Sequence, residues 1–508
     1  MTVWVLGDQL YPDATPLQHD DHVLMIEAHA FGERMRYHPQ KLALVFSAMR
    51  HFRDELRDRE YDVTYIEAET FGEGLDEFYE AAPGTPLVLM DPPSHGAGER
   101  FSELVESRGG ELTIVENELF LTSPAEFDSW AGDAETYRQE HWYRHVRRET
   151  GILMGGDVVS DDDVGDGGPA GGEWNYDDEN RETPPNGWTP PTVPRFEPDE
   201  TTKEVLEFVE TRYPETWGSA DEFVWPVTRE EAQQALSHFI DVRLDEFGAY
   251  QDAMLDGEWA LNHSLLSAAL NLGLLHPREV VEAAEDAYRA DDAPLNSVEG
   301  FIRQVIGWRE FVRHVYRRSM PGLATANQLD QSESLPEAYW TGETDMKCLS
   351  EAVGHVHDHG YAHHIERLMV LSNFALVFGT DPAELNYWFH LGFVDAYHWV
   401  TTPNVVGMGS FGSPVLSSKP YASSGNYVNK MSNYCSSCPY AVSKTTGENA
   451  CPFNALYWDF LKENEAVLRR TGRMGLMYSH VDRKDDDEWK AIRERAEDVR
   501  EMGRAGIL

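Results

Sequence analysis

Short β-branched runs alternate with stretches of helical periodicity through the first 125 residues of this 508-residue chain, and beyond about residue 200 the alternation stops. That change of period limits the fold more than any other feature. Val3-Trp4-Val5-Leu6, His22–Ile26, Val63–Ile66, Leu87–Met90 and Leu112–Val115 read as strands, and Lys41 to Arg57 reads as a helix. Alternating strand and helix predicts a parallel sheet covered by helices on both faces. Ligands of such sheets sit beyond the carboxyl ends of the strands. Gly7-Asp8-Gln9 follows the first strand, so it stands at such an end. No G-x-G-x-x-G follows it, which does not support a nicotinamide dinucleotide.

Residues 131–203 are rich in acid, glycine and proline, including Asp161-Asp162-Asp163, Pro184-Pro185 and Pro190-Pro191, and predict an extended connector. Within it, Trp174-Asn175-Tyr176 is too aromatic for plain spacer and is expected to dock on a neighbour. Residues 204–508 carry helical periodicity with few β-branched runs, which predicts an all-α second domain. Three segments are therefore expected: an α/β domain over 1–130, the connector, and the helical domain. The chain has no run of eighteen apolar residues and opens without a basic, cleavable leader. A monomeric cytoplasmic protein without a membrane span is expected.

The formal net charge is −47. Such a surface repels phosphate unless the acid is locally missing. It is missing from Ala396 to Gly447, where there is no Asp or Glu while Lys419, Lys430 and Lys444 are present. That stretch is expected to meet an anion, to be buried, or both.

All four cysteines fall in the last third: Cys348, Cys435, Cys438 and Cys451. A cytosolic chain seldom keeps disulfides, so metal is the better reading. Cys435-Ser436-Ser437-Cys438 has the C-x₂-C bite, and Cys451 is followed by Pro452, as at the end of bacterial ferredoxin runs. Four-cysteine zinc sites usually show two such bites, so one bite with a distant fourth cysteine fits a four-iron cluster better. Zinc and four unrelated thiols remain the alternatives. His355, His359 and His363 recur every fourth residue, but no further ligand type completes a metal set there.

The stretch between Cys348 and Cys435 contains Gly360-Tyr361-Ala362-His363-His364, Arg367-Leu368-Met369-Val370, Phe393-Val394-Asp395 and Thr401-Thr402-Pro403-Asn404. Upstream lie Ser264-Leu265-Leu266-Ser267 and Gln304-Val305-Ile306-Gly307-Trp308-Arg309-Glu310-Phe311. Together these segments resemble the photolyase/cryptochrome superfamily, and specifically its iron–sulfur bacterial branch with prokaryotic (6-4) photolyases. The resemblance implies an α/β antenna domain with a Rossmann-like sheet and an all-α domain binding FAD and one [4Fe–4S] cluster. It implies an Arg367–Asp395 salt bridge beside the flavin, with Asn404 or Thr401 facing flavin N5. Ser264, Gln304 and Arg309 border the cofactor, and the four cysteines are the cluster ligands. Trp388 and Trp340 begin an aromatic path that re-reduces the flavin.

The function implied is light-driven repair of UV-damaged DNA. Reduced FAD passes an electron to a flipped-out pyrimidine lesion, which a flavin cannot reach inside the stack. A (6-4) lesion also needs a proton moved, and His364 with His363 is suited to that. Tyr421 joins them, Leu368, Met408 and Tyr427 line the lesion pocket, and Lys419, Lys430 and Lys444 meet phosphates. A ribityllumazine antenna is expected against Gly7, Asp8, Gln9 and Glu27. Two rival readings stand beside this one: a cryptochrome-like photoreceptor, and a non-photochemical iron–sulfur nucleic-acid-binding module.

Overall fold

The computed structural model describes residues 1–14, 16–17, 21–156, 167–185 and 187–508. The N-terminal part is a five-stranded parallel sheet of β1 (Thr2–Val5), β2 (His22–Ala28), β3 (Asp62–Ala68), β4 (Leu87–Met90) and β5 (Leu112–Val115). The strand order is β3-β2-β1-β4-β5. β1 is buried along its whole length, as a central strand covered on both faces must be. Trp4, Leu24 and Ile66 face helices α2 (Phe71–Ala81) and α3 (Ala97–Glu106). Val3, Val5, Val23 and Met25 face the other way, against α1 (Pro39–Asp58). The expected strands and their helical cover are thus present.

The order reverses at β1, whose neighbours are β2 and β4, and this is where doubly wound sheets open a crevice. Gln9 bridges it, its Nε2 donating to the carbonyl of Met90 at 2.8 Å. Gly7 packs closely on α1, where a Cβ would lie 2.8 Å from Met49 Sδ and push that side chain aside.

Beyond Pro169 no named strand occurs among the described residues, and helices follow one another to Arg504. The helical part shares its core with the α1 face of the sheet. α1 is wedged between the two parts: Lys41 is buried, and its Nζ donates to the carbonyls of His390 at 2.8 Å and Ala396 at 2.6 Å. Gln40 donates to Ser219 and Asp358 carbonyls and accepts from Trp225 Nε1.

Residues 131–203 are more structured than an extended spacer. They contain the helix Gln139–Thr150, which packs on the turn Arg303–Arg309. Trp174 is buried under the guanidinium groups of Arg144, Arg147 and Arg148. Asn180 is buried and donates to the carbonyl of Asn296. The Asp161-Asp162-Asp163 run lies outside the described residues. No helix among the described residues is long and apolar enough to cross a membrane.

Glu27, at the end of β2, is fully buried and holds the sheet to α1. Its two oxygens accept from Arg50 twice, from His29 and from the Tyr65 hydroxyl, which uses all four lone-pair directions. Burial opposes its ionisation, but bonds from His29, Arg50 and Tyr65 outweigh burial and hold the carboxyl at about 2. Because the folded value lies below the unfolded one, the stabilisation is complete above pH 4.5 and is lost as pH falls toward 2. The shift corresponds to about 3 kcal/mol. Glu27→Gln is therefore expected to lower stability by about that amount at pH 7 and to flatten the loss of stability on acidification. Denaturant unfolding of both proteins at pH 7 and pH 3 measures it, and identical pH slopes would contradict the assignment.

Candidate functional site

The helix Lys347–His359 ends at Gly360, whose φ of 60° lets the chain turn sharply. Any larger residue there is also blocked, since a Cβ would meet Val394 Cγ1 at 2.7 Å. Val394 N donates to the Gly360 carbonyl at 2.9 Å, which fastens the segment before Asp395 to the segment before Arg367. Arg367 and Asp395 then meet in a two-pronged pair, Nη1–Oδ1 and Nη2–Oδ2 both at 3.0 Å. Ser267 Oγ donates to Asp395 at 2.7 Å, and Asn271 donates to its carbonyl. Burial works against the Asp395 charge, but Arg367 first, then the Ser267 bond and Lys41, keep its carboxyl below the usual range. The guanidinium of Arg367 lies over the rings of Tyr361 and Phe393, and its side chain stays 24% exposed. A planar ligand can therefore reach an anchored, charged edge.

His363 and His364 stand beside this pair. His363 is fully buried and stacks on His263, with ring centroids 4.7 Å apart and planes 13° apart. Among the described residues neither ring nitrogen of His363 finds a hydrogen-bond partner. His364 is exposed to solvent, although protein surrounds it closely. That crowding, then Arg367 and His363, pushes His364 down to about 4, and burial does the same to His363. Both are neutral at pH 7. His355 is bound to Glu366 and His359 stacks on Trp259, so the three histidines form no metal set.

Three widened helical turns carry expected site residues: Arg303–Arg309, Glu366–Ser372 and Pro403–Gly409. Turns of this kind are frequent at functional sites. The last two pack on each other. Leu368 and Met408 are buried. Asn404 is half-buried, with Nδ2 on the Val400 carbonyl, and Thr401 is buried one turn earlier. Ser264 is half-buried and flanked by Leu261 and Leu265, at φ of 41° and 60°. Left-handed leucines are strained, which is characteristic of segments shaped for a ligand. Gln304 donates to its own helix at Gly300, and the half-buried Arg309 lies between Phe120 and Trp399 with bonds to Leu119 and Leu270 carbonyls. Arg309 thus ties the sheet's last loop to the helical part.

Tyr421 and Tyr427 are half-buried, and the Tyr427 hydroxyl donates to Asp252. The charges of Asp177 and Arg181 reach Tyr421, Asp177 is paired with Arg303, and Arg181 stands 4.0 Å from Asp252. The carboxylate-free stretch is thus free of acid in sequence but not in space, because the connector folds back on it. Lys419, Lys430 and Lys444 are all exposed. Trp388 is buried, and Trp217 lies between it and Trp340, with centroids 5.6 Å and 6.2 Å away.

Cys348, Cys435, Cys438 and Cys451 line one apolar cavity with Tyr434, Val442 and Phe453. None of the four is joined in a disulfide. Burial, then the other three thiols, raises Cys348 well above its ordinary range, and Cys451 is pushed up to about 12. Four thiolates in such a wall need a compensating cation. Among the described residues no three cysteine sulfurs lie within 4.8 Å of one another, wider than the ~3.8 Å edge of tetrahedral zinc thiolate. Gly425 leaves the room, because a Cβ there would lie 2.8 Å from Cys451 Sγ.

Sequence reasoning missed Ser267, Lys41, Trp217, His263 and Glu366. Ser267 and Glu366 lay within or beside the quoted motifs, Glu366 directly before Arg367. The others depend on long-range packing.

A (6-4) photolyase from Agrobacterium fabrum is 41% identical over 505 residues, spanning 97% of this chain and 98% of the relative. The chain belongs to the photolyase/cryptochrome family. The family model for deoxyribodipyrimidine photo-lyase-related proteins matches residues 3–225. Solved photolyases share the fold. A bacterial class III photolyase from Agrobacterium tumefaciens superposes with a TM-score of 0.56 at 17% identity, covering 85% of this chain and 86% of the other. An archaeal photolyase from Sulfolobus tokodaii, solved with two FAD molecules, gives 0.54 at 14% identity over 98% and 99%.

Proposed function

We propose that this photolyase repairs (6-4) photoproducts in UV-damaged DNA with light, using FAD. The carrying observation is the Arg367–Asp395 pair set beside the two histidines, in a chain 41% identical to a (6-4) photolyase. Bound FAD supplies a light-driven electron. Arg367, held by Asp395 and stacked on Tyr361 and Phe393, would present its open edge to the bound ring system, and Asn404 on the packed turn or Thr401 on the helix before it would face the ring. Ser264, on its strained loop, is the residue for the phosphates. Trp388, Trp217 and Trp340 form a chain of ring contacts along which an electron can travel.

His364 is the proton donor, because it alone of the pair meets solvent and so an incoming base. It is neutral in free protein, and approaching phosphates favour its charged form. Leu368, Met408, Tyr421 and Tyr427 surround the extruded lesion, and Lys419, Lys430 and Lys444 neutralise phosphates. The four cysteines hold a [4Fe–4S] cluster, a reading supported by their mutual spacing and apolar cavity. Asp8, pushed up to about 6 by burial, and Oε1 of Gln9, which finds no hydrogen-bond partner among the described residues, are the groups at the sheet crevice left for a ribityllumazine antenna. Glu27 has no lone pair left for it.

Blue-light repair assays on duplexes carrying (6-4) or cyclobutane lesions test the reading. Restoration of the (6-4) substrate is expected; flavin-loaded protein that repairs neither lesion would point to a photoreceptor. Cys438→Ser is expected to lose most of its iron and to fold poorly. Iron content and circular dichroism check this, and wild-type iron in the variant would remove Cys438 from the ligand set.

A further inference from the structure

Glu366 is a fully buried carboxylate one residue before Arg367, and no part of the repair reading has used it. It accepts from the Tyr434 hydroxyl at 2.7 Å and from His355 Nδ1 at 3.1 Å. Its Oε2 also stands 3.6 Å from Nε2 of His363, just outside hydrogen-bond reach. Tyr434 precedes Cys435 and His355 lies on the helix that begins at Lys347, so the carboxylate is gripped from the cysteine side and faces the histidine pair on the other.

We propose that Glu366 is the positioning carboxylate of the histidine pair: it orients the His363 proton and sets how readily the pair takes up a second one. The inference rests on the histidine role given above. A buried imidazole whose ring nitrogens lack partners is unfavourable as a purely structural element. It becomes intelligible if Nε2 closes onto Glu366 when the pair gains a proton. No covalent bond changes; one proton enters at the imidazoles, and the carboxylate balances its charge.

The surrounding charges set the sign. On the helix Lys347–His359, Glu351 stands 3.8 Å from His355, and Asp358 and His359 are further along. Burial disfavours the His355 cation, but Glu366 outweighs burial and raises it above its ordinary value. Glu366 itself is held at about 2, because His355, His363 and Tyr434 outweigh its burial. His363 is lowered by burial, raised by Glu366, and lowered again by His355 and Arg367. On its other face His263 is kept neutral by burial, with His363, His364 and Arg243 adding to that effect. Among the described residues Glu366 is therefore the one acidic neighbour among the charges that act on His363, and removing Glu366 or His355 should move the pair in opposite directions.

The test uses the FAD-loaded protein. Glu366→Gln is expected to keep flavin and iron while shifting the pH midpoint of (6-4) repair down by about one unit, a tenfold loss above the midpoint. His355→Gln is expected to shift it upward, and Glu366→Asp to restore most of the wild-type profile. Histidine-selective ¹³C NMR in the dark reads the same changes without turnover: the resonance removed by His363→Asn should titrate lower in Glu366→Gln and higher in His355→Gln. An unshifted profile in both glutamine variants, or a uniform loss at every pH, would overturn the inference. If Glu366→Gln does not fold, the upward shift in His355→Gln decides. Should His364→Ala still repair, the histidine reading itself has failed; if it does not repair and the profiles are unshifted, only the role of Glu366 is lost.

Discussion

Asp395→Ala is expected to yield protein that folds but retains less than about a tenth of its FAD, because each charge-assisted bond at this site contributes about 1.5–3 kcal/mol. The carboxylate accepts two bonds from Arg367 and one from Ser267, and all three are lost together. The guanidinium then sits half-buried over Tyr361 and Phe393 without its counter-charge, and it swings to water or to another acceptor. Its open edge is what a flavin ring would meet, so the defect falls on cofactor retention more than on the core. The flavin-to-protein absorbance ratio after gel filtration measures the effect. Wild-type retention would show that the pair does not border the cofactor. Arg367→Lys should be intermediate, since a point charge cannot reproduce the two parallel bonds.

His364→Ala is expected to lower (6-4) repair by about 10²–10⁴-fold, the usual contribution of a positioned acid or base. Flavin and iron content should stay at wild-type levels, because His364 is exposed to solvent rather than part of the buried core. Single-turnover repair under blue light, scored by restored template activity, is the measurement. Retained repair would remove His364 from the chemistry. The reciprocal change at His363 should also destabilise the fold, since that ring is buried against His263.

How far the sequence announced this molecule depends on the range of the contacts. The parallel sheet was legible because each strand carries its own apolar run and each helix its own period. The cysteines were legible by type and spacing, and the Arg367–Asp395 pair by motif. Lys41 was not, because its partners are backbone carbonyls more than 340 positions away, which no side-chain pattern announces. Trp217 was hidden among fourteen tryptophans of similar local context. The connector's acid looked solvated, yet Asp177 and Arg181 return to the face that bears Tyr421 and Tyr427. A charge census along the chain cannot see such a fold-back. The neutrality of that face is a property of three-dimensional packing.

The wedge formed by α1 has a consequence for how light is used. Energy passing between two pigments falls steeply with separation and depends on their mutual angle. A helix that belongs to the sheet on one side and is bolted on the other by Lys41 to the carbonyls of His390 and Ala396, beside Asp395, and by Gln40 to those of Ser219 and Asp358 removes the hinge between the two parts. If the sheet carries the antenna proposed above, residues 1–130 would then be a fixed optical mount rather than a detachable collector, and freed from the rest they would bare the apolar side of α1 and clump.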